Sequence, residues 1–183
     1  MKNGIGLDWG LKTLITCSNG FRFTNIYNTP KMIKLHNERD IIKSKYKIGD
    51  PERVEILKKI NSDMLSLKAT YYNDIIKTIS KWNPLFIAIE NLDLKNTIKE
   101  IDETSFNLFV FKLKKMCSEK RIELRRVGRF FPSSKTCSRC GYVKYDLKYD
   151  ERIFKCNHCG LEIDRDLNAS INIRDTKNYI RLI

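Results

Sequence analysis

The sequence has no hydrophobic run that approaches the roughly 18 uninterrupted apolar residues of a membrane span. Its first ten residues, MKNGIGLDWG, also lack the long apolar segment of a secretory signal peptide. Glycine and proline are sparse, at 8 and 4 of 183 residues, and 42% of the residues are hydrophobic, which excludes a chain that is disordered throughout. These features predict a cytoplasmic protein with one folded domain, or a core domain plus a small module.

Acidic residues are outnumbered by basic ones, and histidines are few. The chain has 22 Asp and Glu against 35 Lys and Arg, which gives a formal net charge of +13 and favours a polyanionic partner. Only two histidines are present. His36 lies in a polar stretch and His158 between two cysteines, so neither is a strong candidate for acid or base catalysis.

Six cysteines in a cytoplasmic chain are more typical of metal ligands than of disulfides, because reducing compartments keep thiols free. Four of them form two Cys-x-x-Cys pairs, Cys137 with Cys140 and Cys156 with Cys159, at the spacing of a zinc ribbon. Four thiolates satisfy tetrahedral Zn²⁺, so we expect a structural zinc site. Cys17 and Cys117 fall outside the pattern and are predicted to be core residues.

The hydrophobic pattern predicts an α/β domain in front of the cysteines. Three β-favouring segments open the chain, apolar residues at helical steps then mark a long helix, and an unbroken apolar run marks a buried parallel strand. A second amphipathic helix and another strand follow, while residues 31–50 are polar and fit a helix, a loop or both. The predicted order is β-β-β-α-β-α-β, at residues 4–8, 11–17, 21–27, 52–82, 85–89, 106–116 and 121–127, with a closing helix within 166–179.

Three acidic residues stand out by their position along the chain. Asp8 ends the first strand, Glu90 follows the buried run, and Asp166 begins the closing helix. If the first and fourth strands are neighbours, the first two carboxylates emerge together, and three like charges repel unless divalent metal neutralises them. Two Mg²⁺ ions on such a cluster support phosphodiester hydrolysis. The alternatives are a turn residue at Asp8, a loop start at Glu90 and a helix cap at Asp164 or Asp166, and sequence position alone leaves the choice open.

Four ordered motifs together resemble one family. They are Gly4-Ile-Gly-Leu-Asp-Trp-Gly-Leu-Lys-Thr13, Ile87-Ala-Ile-Glu-Asn-Leu92, Pro132-Ser-Ser-Lys-Thr-Cys-Ser-Arg-Cys-Gly141, and Cys156-Asn-His-Cys-Gly160 with Asp164-Arg-Asp-Leu-Asn-Ala-Ser-Ile-Asn-Ile173. The chain is similar to the C-terminal nuclease half of TnpB, the transposon-encoded RNA-guided DNA endonucleases that resemble compact type V CRISPR effectors.

The resemblance implies an RNase H-like RuvC domain, with a mixed sheet flanked by helices and an inserted zinc ribbon. It places the three catalytic, Mg²⁺- or Mn²⁺-binding acids at Asp8, Glu90 and Asp166, with Asp164 a less favoured ligand. The ribbon ligands fall on Cys137, Cys140, Cys156 and Cys159. The implied division is a nuclease core at 1–131, the ribbon at 132–163 and a C-terminal RuvC helix at 164–183.

Family members carry an N-terminal lobe that holds guide RNA, whereas Met1 stands three residues before the first predicted strand. We therefore expect the recognition lobe to be missing or supplied by a separate subunit.

Positive charge concentrates between Phe111 and Lys135, where nine basic residues face two acidic ones. This stripe suits contact with a phosphate backbone, and Phe130 and Phe131 are available to bases or sugars. A solvated helix face with core aromatics is the alternative for each residue taken singly. The candidate nucleic-acid contacts are Lys112, Lys115, Arg125, Arg126, Arg129 and Lys135.

The leading hypothesis is a Mg²⁺-dependent, TnpB-like DNA endonuclease with DNA and a guide RNA as partners. Two other hypotheses stay open: a non-cleaving accessory or regulatory protein that binds nucleic acid, and a dimeric junction-resolving enzyme.

Overall fold

A six-stranded mixed sheet organises the chain in this computed structural model, which describes residues 3–91, 103–148 and 150–183. Its strand order is β3-β2-β1-β4-β5-β8, and β6 and β7 form a separate hairpin. The strands are β1 Gly4–Trp9, β2 Thr13–Cys17, β3 Arg22–Thr24, β4 Phe86–Ile89, β5 Glu123–Val127, β6 Ile153–Lys155, β7 Glu162–Asp164 and β8 Tyr179–Arg181. The helices are α1 Pro30–Lys45, α2 Pro51–Lys81, α3 Glu103–Lys120 and α4 Arg165–Asp175, with a 3-10 turn at Ile26–Asn28.

The sheet confirms the predicted meander and the predicted central strand. β1, β2 and β3 pair antiparallel, while β4 lies between β1 and β5 and runs parallel to both. Because β4 is buried on both faces, all four of its residues are apolar, as is typical of central parallel strands.

The long second helix follows from its sequence. Asp50 caps it by accepting hydrogen bonds from the backbone N–H groups of Glu52 and Arg53, and Pro51 occupies the first helical position, where its missing N–H is harmless. Its apolar residues recur on one face, which packs on the sheet and, near Ile60 and Met64, on α1. Residues 31–50, left open by the sequence, are helical up to Lys45.

The end of the chain differs from its prediction. The closing helix stops at Asp175, and β8 then pairs antiparallel with β5 at the sheet edge. A three-residue edge strand has too few residues to show an alternating pattern, so the sequence predicted helix across this segment. Residues 92–102, which precede α3, lie outside the described residues.

The two faces of the sheet carry different helices. Ile5 and Leu7 of β1 pack with α2 and α3, whereas the alternate residues, Gly6 and Asp8, face α4. A Cβ atom on Gly6 would collide with the Ser170 carbonyl oxygen, so only glycine lets α4 lie this close to β1. This close approach brings the start of α4 to the end of β1.

None of the helices in the described part of the chain has the length and apolarity that a bilayer crossing needs.

Candidate catalytic and metal-binding sites

An acidic cleft forms where β1 and β4 end beneath the start of α4. Leu7 pairs with Ile89 across the two parallel strands, so the following residues lie side by side: Asp8 near the end of β1 and Glu90 directly after β4. Asp166 lies in the first turn of α4 and is close enough to both carboxyls to raise their pKa values. The fold therefore brings together the three acids that the sequence singled out.

The cleft opposes the ionisation of its own acids. Burial, followed by the charges of Glu90 and Asp166, raises the pKa of Asp8 well above its usual range. Burial also raises the pKa of Glu90 to about 6, although hydrogen bonds from Ser133 and Asp8 act in the opposite direction. A divalent cation would relieve this repulsion, so the donor set fits hard, oxygen-binding metals such as Mg²⁺.

The acids and the cysteine thiols differ in how their ligand atoms are grouped. In residues 3–91, 103–148 and 150–183, the cysteine group is the one set of at least three ligand atoms that all lie within 4.8 Å of one another. Asp8 and Glu90 share a hydrogen bond, and Asp166 acts on both through its charge, so the three carboxyl groups interact without forming such a set.

Two further side chains fix the acidic cleft. The Ser133 hydroxyl donates to Glu90 Oε1 at 2.9 Å, and Asp164 caps α4 by accepting from the Leu167 N–H at 2.9 Å. Asp164 also pairs with Arg22 of β3 at 2.8 Å. These bonds occupy Asp164 as a helix cap, one of the alternatives that the sequence left open.

Sequence reasoning did not assign a role to Ser133 or Arg22. Ser133 belongs to the motif at residues 132–141, but no local sequence pattern connects it with Glu90, which is 43 positions away. Arg22 lies on a three-residue strand and meets Asp164 only in the folded chain. Tertiary contacts of this range leave no periodic trace in the sequence.

The four paired cysteines form a compact group on two tight turns beside the β6–β7 hairpin. Cys137 and Cys159 have Sγ atoms 3.6 Å apart, and those of Cys140 and Cys156 are 3.7 Å apart. A disulfide would hold them at about 2.05 Å, whereas four thiolates around Zn²⁺ at about 2.3 Å lie roughly 3.8 Å apart. The thiols thus have the spacing of a tetrahedral zinc site.

The surroundings of Cys156 favour a thiolate, whereas those of Cys137 and Cys140 raise the pKa of the thiol, that of Cys140 to about 12. Burial opposes ionisation of Cys156, but the backbone N–H groups of Cys159 and His158 lower its pKa to about 6. Leu147 and Phe154 pack against the cysteines and form a very small apolar core. A core this small would make the module depend on a bound metal as well as on its hydrogen bonds to α4.

The remaining cysteines and histidines have ordinary surroundings. Cys17 and Cys117 are buried in the main core, as predicted, and burial raises the pKa of each thiol to about 12. The His36 ring contacts Tyr27, and Arg39 lies 3.0 Å from its Nδ1 atom. His158 stacks on Tyr142 at the surface of the cysteine module.

The six predicted nucleic-acid contacts differ in how their side chains are engaged. Arg125 forms a two-pronged pair with Glu123 and stacks on Phe86 and Tyr179, so its guanidinium is held within the fold. Lys112 donates to Asn73, and Lys135 donates to the Tyr145 carbonyl. Lys115 is exposed beside Glu119. Arg126 is half-buried, and Arg129 is exposed.

The two neighbouring phenylalanines, Phe130 and Phe131, also differ in exposure. Phe130 is 91% exposed, whereas Phe131 packs on a small cluster that contains Val127 and Ile173. Only Phe130 is therefore free to stack on a base, and Phe131 fills the core as in the simpler interpretation.

The sheet and sites define a mixed α/β protein with an acidic cleft beside a four-cysteine cluster. Comparisons with known proteins agree with this description. Residues 106–173 match the protein-family model of the Cas12f1-like TNB domain. A Streptomyces pristinaespiralis protein, whose name proposes RNA-guided DNA endonuclease activity, is 27% identical over 92% of this chain and 44% of its own length.

A mimivirus of Acanthamoeba polyphaga encodes a further relative, TnpB-like protein L79. It is 27% identical over 94% of this chain and 37% of its own length. The solved structure of Cas12f1 in complex with sgRNA and target DNA has the same fold, with a TM-score of 0.68 and 24% identity over 94% of this chain and 50% of that one. The chain is thus similar to TnpB-like proteins and to proteins named as RNA-guided DNA endonucleases, and it shares a fold with Cas12f1. The chain spans less than half the length of the two curated relatives.

Proposed function

We propose that this chain is the RuvC-type nuclease part of a TnpB-like, RNA-guided DNA endonuclease. The observation that carries the proposal is the meeting of Asp8, Glu90 and Asp166 in one cleft. The sheet order, with three antiparallel strands followed by parallel β4 and β5, supports an RNase H-like core. The relatives named as TnpB-like or as RNA-guided endonucleases support the reaction class.

The three acids would hold Mg²⁺ or Mn²⁺ on the floor of the cleft. Bound divalent metal supplies positive charge that activates water and stabilises the leaving oxygen in phosphodiester hydrolysis, with two ions in the proposed mechanism. Asp8 and Glu90 are fixed by rigid strands and Asp166 by the capped start of α4, so the carboxylates need little reorganisation to receive the metal. Ser133 donates to Oε1 of Glu90 and orients its carboxyl group.

The remaining parts of the proposal concern organisation and partners. We assign residues 1–131 to the nuclease core, 132–163 to a zinc ribbon and 164–183 to a C-terminal RuvC segment that contains α4 and β8. Zn²⁺ would be held by Cys137, Cys140, Cys156 and Cys159, whose sulfur spacing fits it. DNA and a guide RNA are the proposed partners, because Cas12f1, which shares the fold, was solved with sgRNA and target DNA.

Cleavage of labelled single- and double-stranded DNA, with and without added Mg²⁺, tests the proposal. Asp8→Ala and Glu90→Ala should each slow cleavage by at least about a hundredfold, because metal binding contributes several kcal/mol to transition-state stabilisation. Asp63→Ala removes an exposed carboxylate from α2 and serves as the matched control. RNA that copurifies with the protein should be sequenced and added to the reaction.

Two results would contradict the assignment. Cleavage that persists in both alanine variants would place the active site elsewhere. Tight binding of nucleic acid without Mg²⁺-dependent cleavage, unchanged by either substitution, would favour the accessory, non-cleaving function.

A further inference from the structure

A chain of hydrogen bonds runs from the cysteine cluster to the acidic cleft. It begins at the turn before Cys137 and ends at Ser133, which is buried and donates to Glu90 Oε1 at 2.9 Å. The backbone carbonyl of Ser133 in turn accepts from Asn172 Nδ2 at 2.8 Å. Ser133 therefore touches a proposed metal-binding acid on one side and α4 on the other.

Two buried asparagines on α4 form hydrogen bonds with the backbone next to Cys137. Asn168 brackets Cys137: its Oδ1 accepts from the Ser138 N–H at 2.9 Å, and its Nδ2 donates to the Thr136 carbonyl at 2.7 Å. Asn172, one turn later on the same face, donates to the Thr136 carbonyl as well, at 2.6 Å. Both asparagines are buried, so the loss of either amide would leave backbone groups without these partners.

The segment between Ser133 and Cys137 is a closed turn. The Pro132 carbonyl accepts from the N–H groups of Lys135 and Thr136 and from the Thr136 hydroxyl, at 2.9 to 3.0 Å. Because these bonds fix the turn internally, a shift of Cys137 carries Ser133 with it. The first cysteine pair and Glu90 are thus connected through one rigid element.

We propose that Ser133, Asn168 and Asn172 are positioning residues that couple metal binding at the cysteines to the geometry of Glu90. The inference rests on the proposed function, which makes Glu90 a ligand of the catalytic metal. The three residues act by placing the carboxylate. An ordered cysteine cluster holds the turn, the turn holds Ser133, and Ser133 orients the Glu90 carboxyl.

Substitution of Ser133, in protein loaded with zinc, tests whether this side chain orients the Glu90 carboxyl. Ser133→Ala should weaken Mn²⁺ binding, measured by electron paramagnetic resonance of free Mn²⁺, by roughly tenfold, as expected for one lost hydrogen bond to a charged group. It should lower kcat for DNA cleavage and leave KM unchanged. Ser133→Thr restores a hydroxyl and should recover most of both quantities. Ser134→Ala, the adjacent half-buried serine, is the matched control.

Substitution at Asn172 tests the step through α4. Asn172→Asp places a carboxylate against two backbone carbonyls, and we expect weaker Mn²⁺ binding at the acids with zinc content still near one per chain by atomic emission. Asn61→Asp makes the same change of charge at an exposed position of α2. If Asn172→Asp fails to fold by circular dichroism, the Ser133 series decides alone.

The outcomes separate the two proposals. If Ser133→Ala and Ser134→Ala bind Mn²⁺ and cleave alike, while Asp8→Ala abolishes both, the positioning role is wrong and the proposed function stands. If Asp8→Ala binds Mn²⁺ and cleaves like the unmodified chain, the proposed function is wrong, and the positioning role is overturned with it.

Discussion

Asp8 and Glu90 show how strongly a residue's chemistry depends on its neighbours. In the unfolded chain each is an ordinary carboxylic acid. In the fold, burial and adjacent carboxyl groups raise both pKa values, that of Glu90 to about 6. Without bound metal, these acids therefore reduce the stability of the folded state at neutral pH.

Glu90→Gln is therefore expected to stabilise the metal-free protein at pH 7.5. The pKa of Glu90 is raised from its usual 4.5 to about 6, so the folded state binds the proton more tightly than the unfolded state. The wild-type chain loses stability as the pH rises from about 4.5 to about 6 and keeps that deficit above it, roughly 2 kcal/mol. Urea unfolding at pH 4 and at pH 7.5, without added divalent metal, measures the difference.

The gain from Glu90→Gln should shrink towards zero at pH 4, where the wild-type carboxyl is protonated in both states. Glu55→Gln, at an exposed position of α2, is the control and should show no such pH dependence. A Glu90→Gln variant that is less stable than wild type at pH 7.5 would contradict the expectation.

At the scale of elements, α4 combines several tasks in 11 residues. Its first turn carries Asp166, its cap Asp164 pairs with Arg22 of β3, and its buried asparagines hold the cysteine module. Gly6 on β1 provides the space in which it lies. The helix therefore contacts sheet, cleft and cysteine cluster at once, and its position determines how these parts meet.

The cysteine module is the element that we expect to depend most on metal for its stability. Cys140→Ser removes one exposed ligand, and we expect zinc content to fall and residues 137–164 to become sensitive to protease, because the apolar core of the module is too small to hold it folded. Atomic emission and mass spectrometry of the proteolytic fragments measure the two effects. The sheet core should stay resistant.

Cys17→Ala alters a buried cysteine outside the cluster and is the control for zinc content. Unchanged protease resistance of the module in a zinc-free Cys140→Ser variant would show that the metal is unnecessary for its fold.

At the scale of the whole molecule, the basic side chains behind the net charge of +13 differ in how accessible they are to a nucleic acid. Some basic side chains are held by internal partners, as Arg125 is by Glu123 and two aromatic rings. Others, such as Lys115 and Arg129, are exposed. Net charge therefore overstates the surface available for phosphate.

Nucleic-acid binding should weaken steeply with salt, because each neutralised phosphate releases counterions and contributes about −0.9 to the slope of log affinity against log salt. Arg129→Ala and Lys135→Ala should each reduce the magnitude of that slope by about one. Arg125→Ala should instead lower the unfolding midpoint and leave the slope unchanged, since its guanidinium is engaged in the fold. Fluorescence anisotropy across a salt series provides the slopes.

Lys58→Ala, at an exposed position of α2 outside the stripe, is the control for the loss of one charge. A slope near zero for the unmodified chain would contradict the predicted phosphate contacts.

Much of the fold could be predicted from the sequence because its signals are local. The long helix α2 shows in helical periodicity, β4 in an unbroken apolar run, and the cysteine pairs in their spacing. β8 could not be predicted, because a three-residue edge strand depends on the neighbour it joins. The contacts of Ser133 with Glu90 and of Arg22 with Asp164 could not be predicted either, since each joins residues far apart in the chain.

The sequence by itself determined the class of chain: its hydrophobic fraction predicts a folded protein, its excess of basic residues makes it basic, and it contains no long apolar run. The sequence by itself also determined which residues were candidates for metal binding, because cysteine spacing and the acids at strand ends are local patterns. Only the tertiary structure decided which groups meet. Parallel pairing sets Asp8 beside Glu90, and a glycine admits the helix that brings Asp166 to them. Proximity between distant positions is set by packing, which no short stretch of sequence contains.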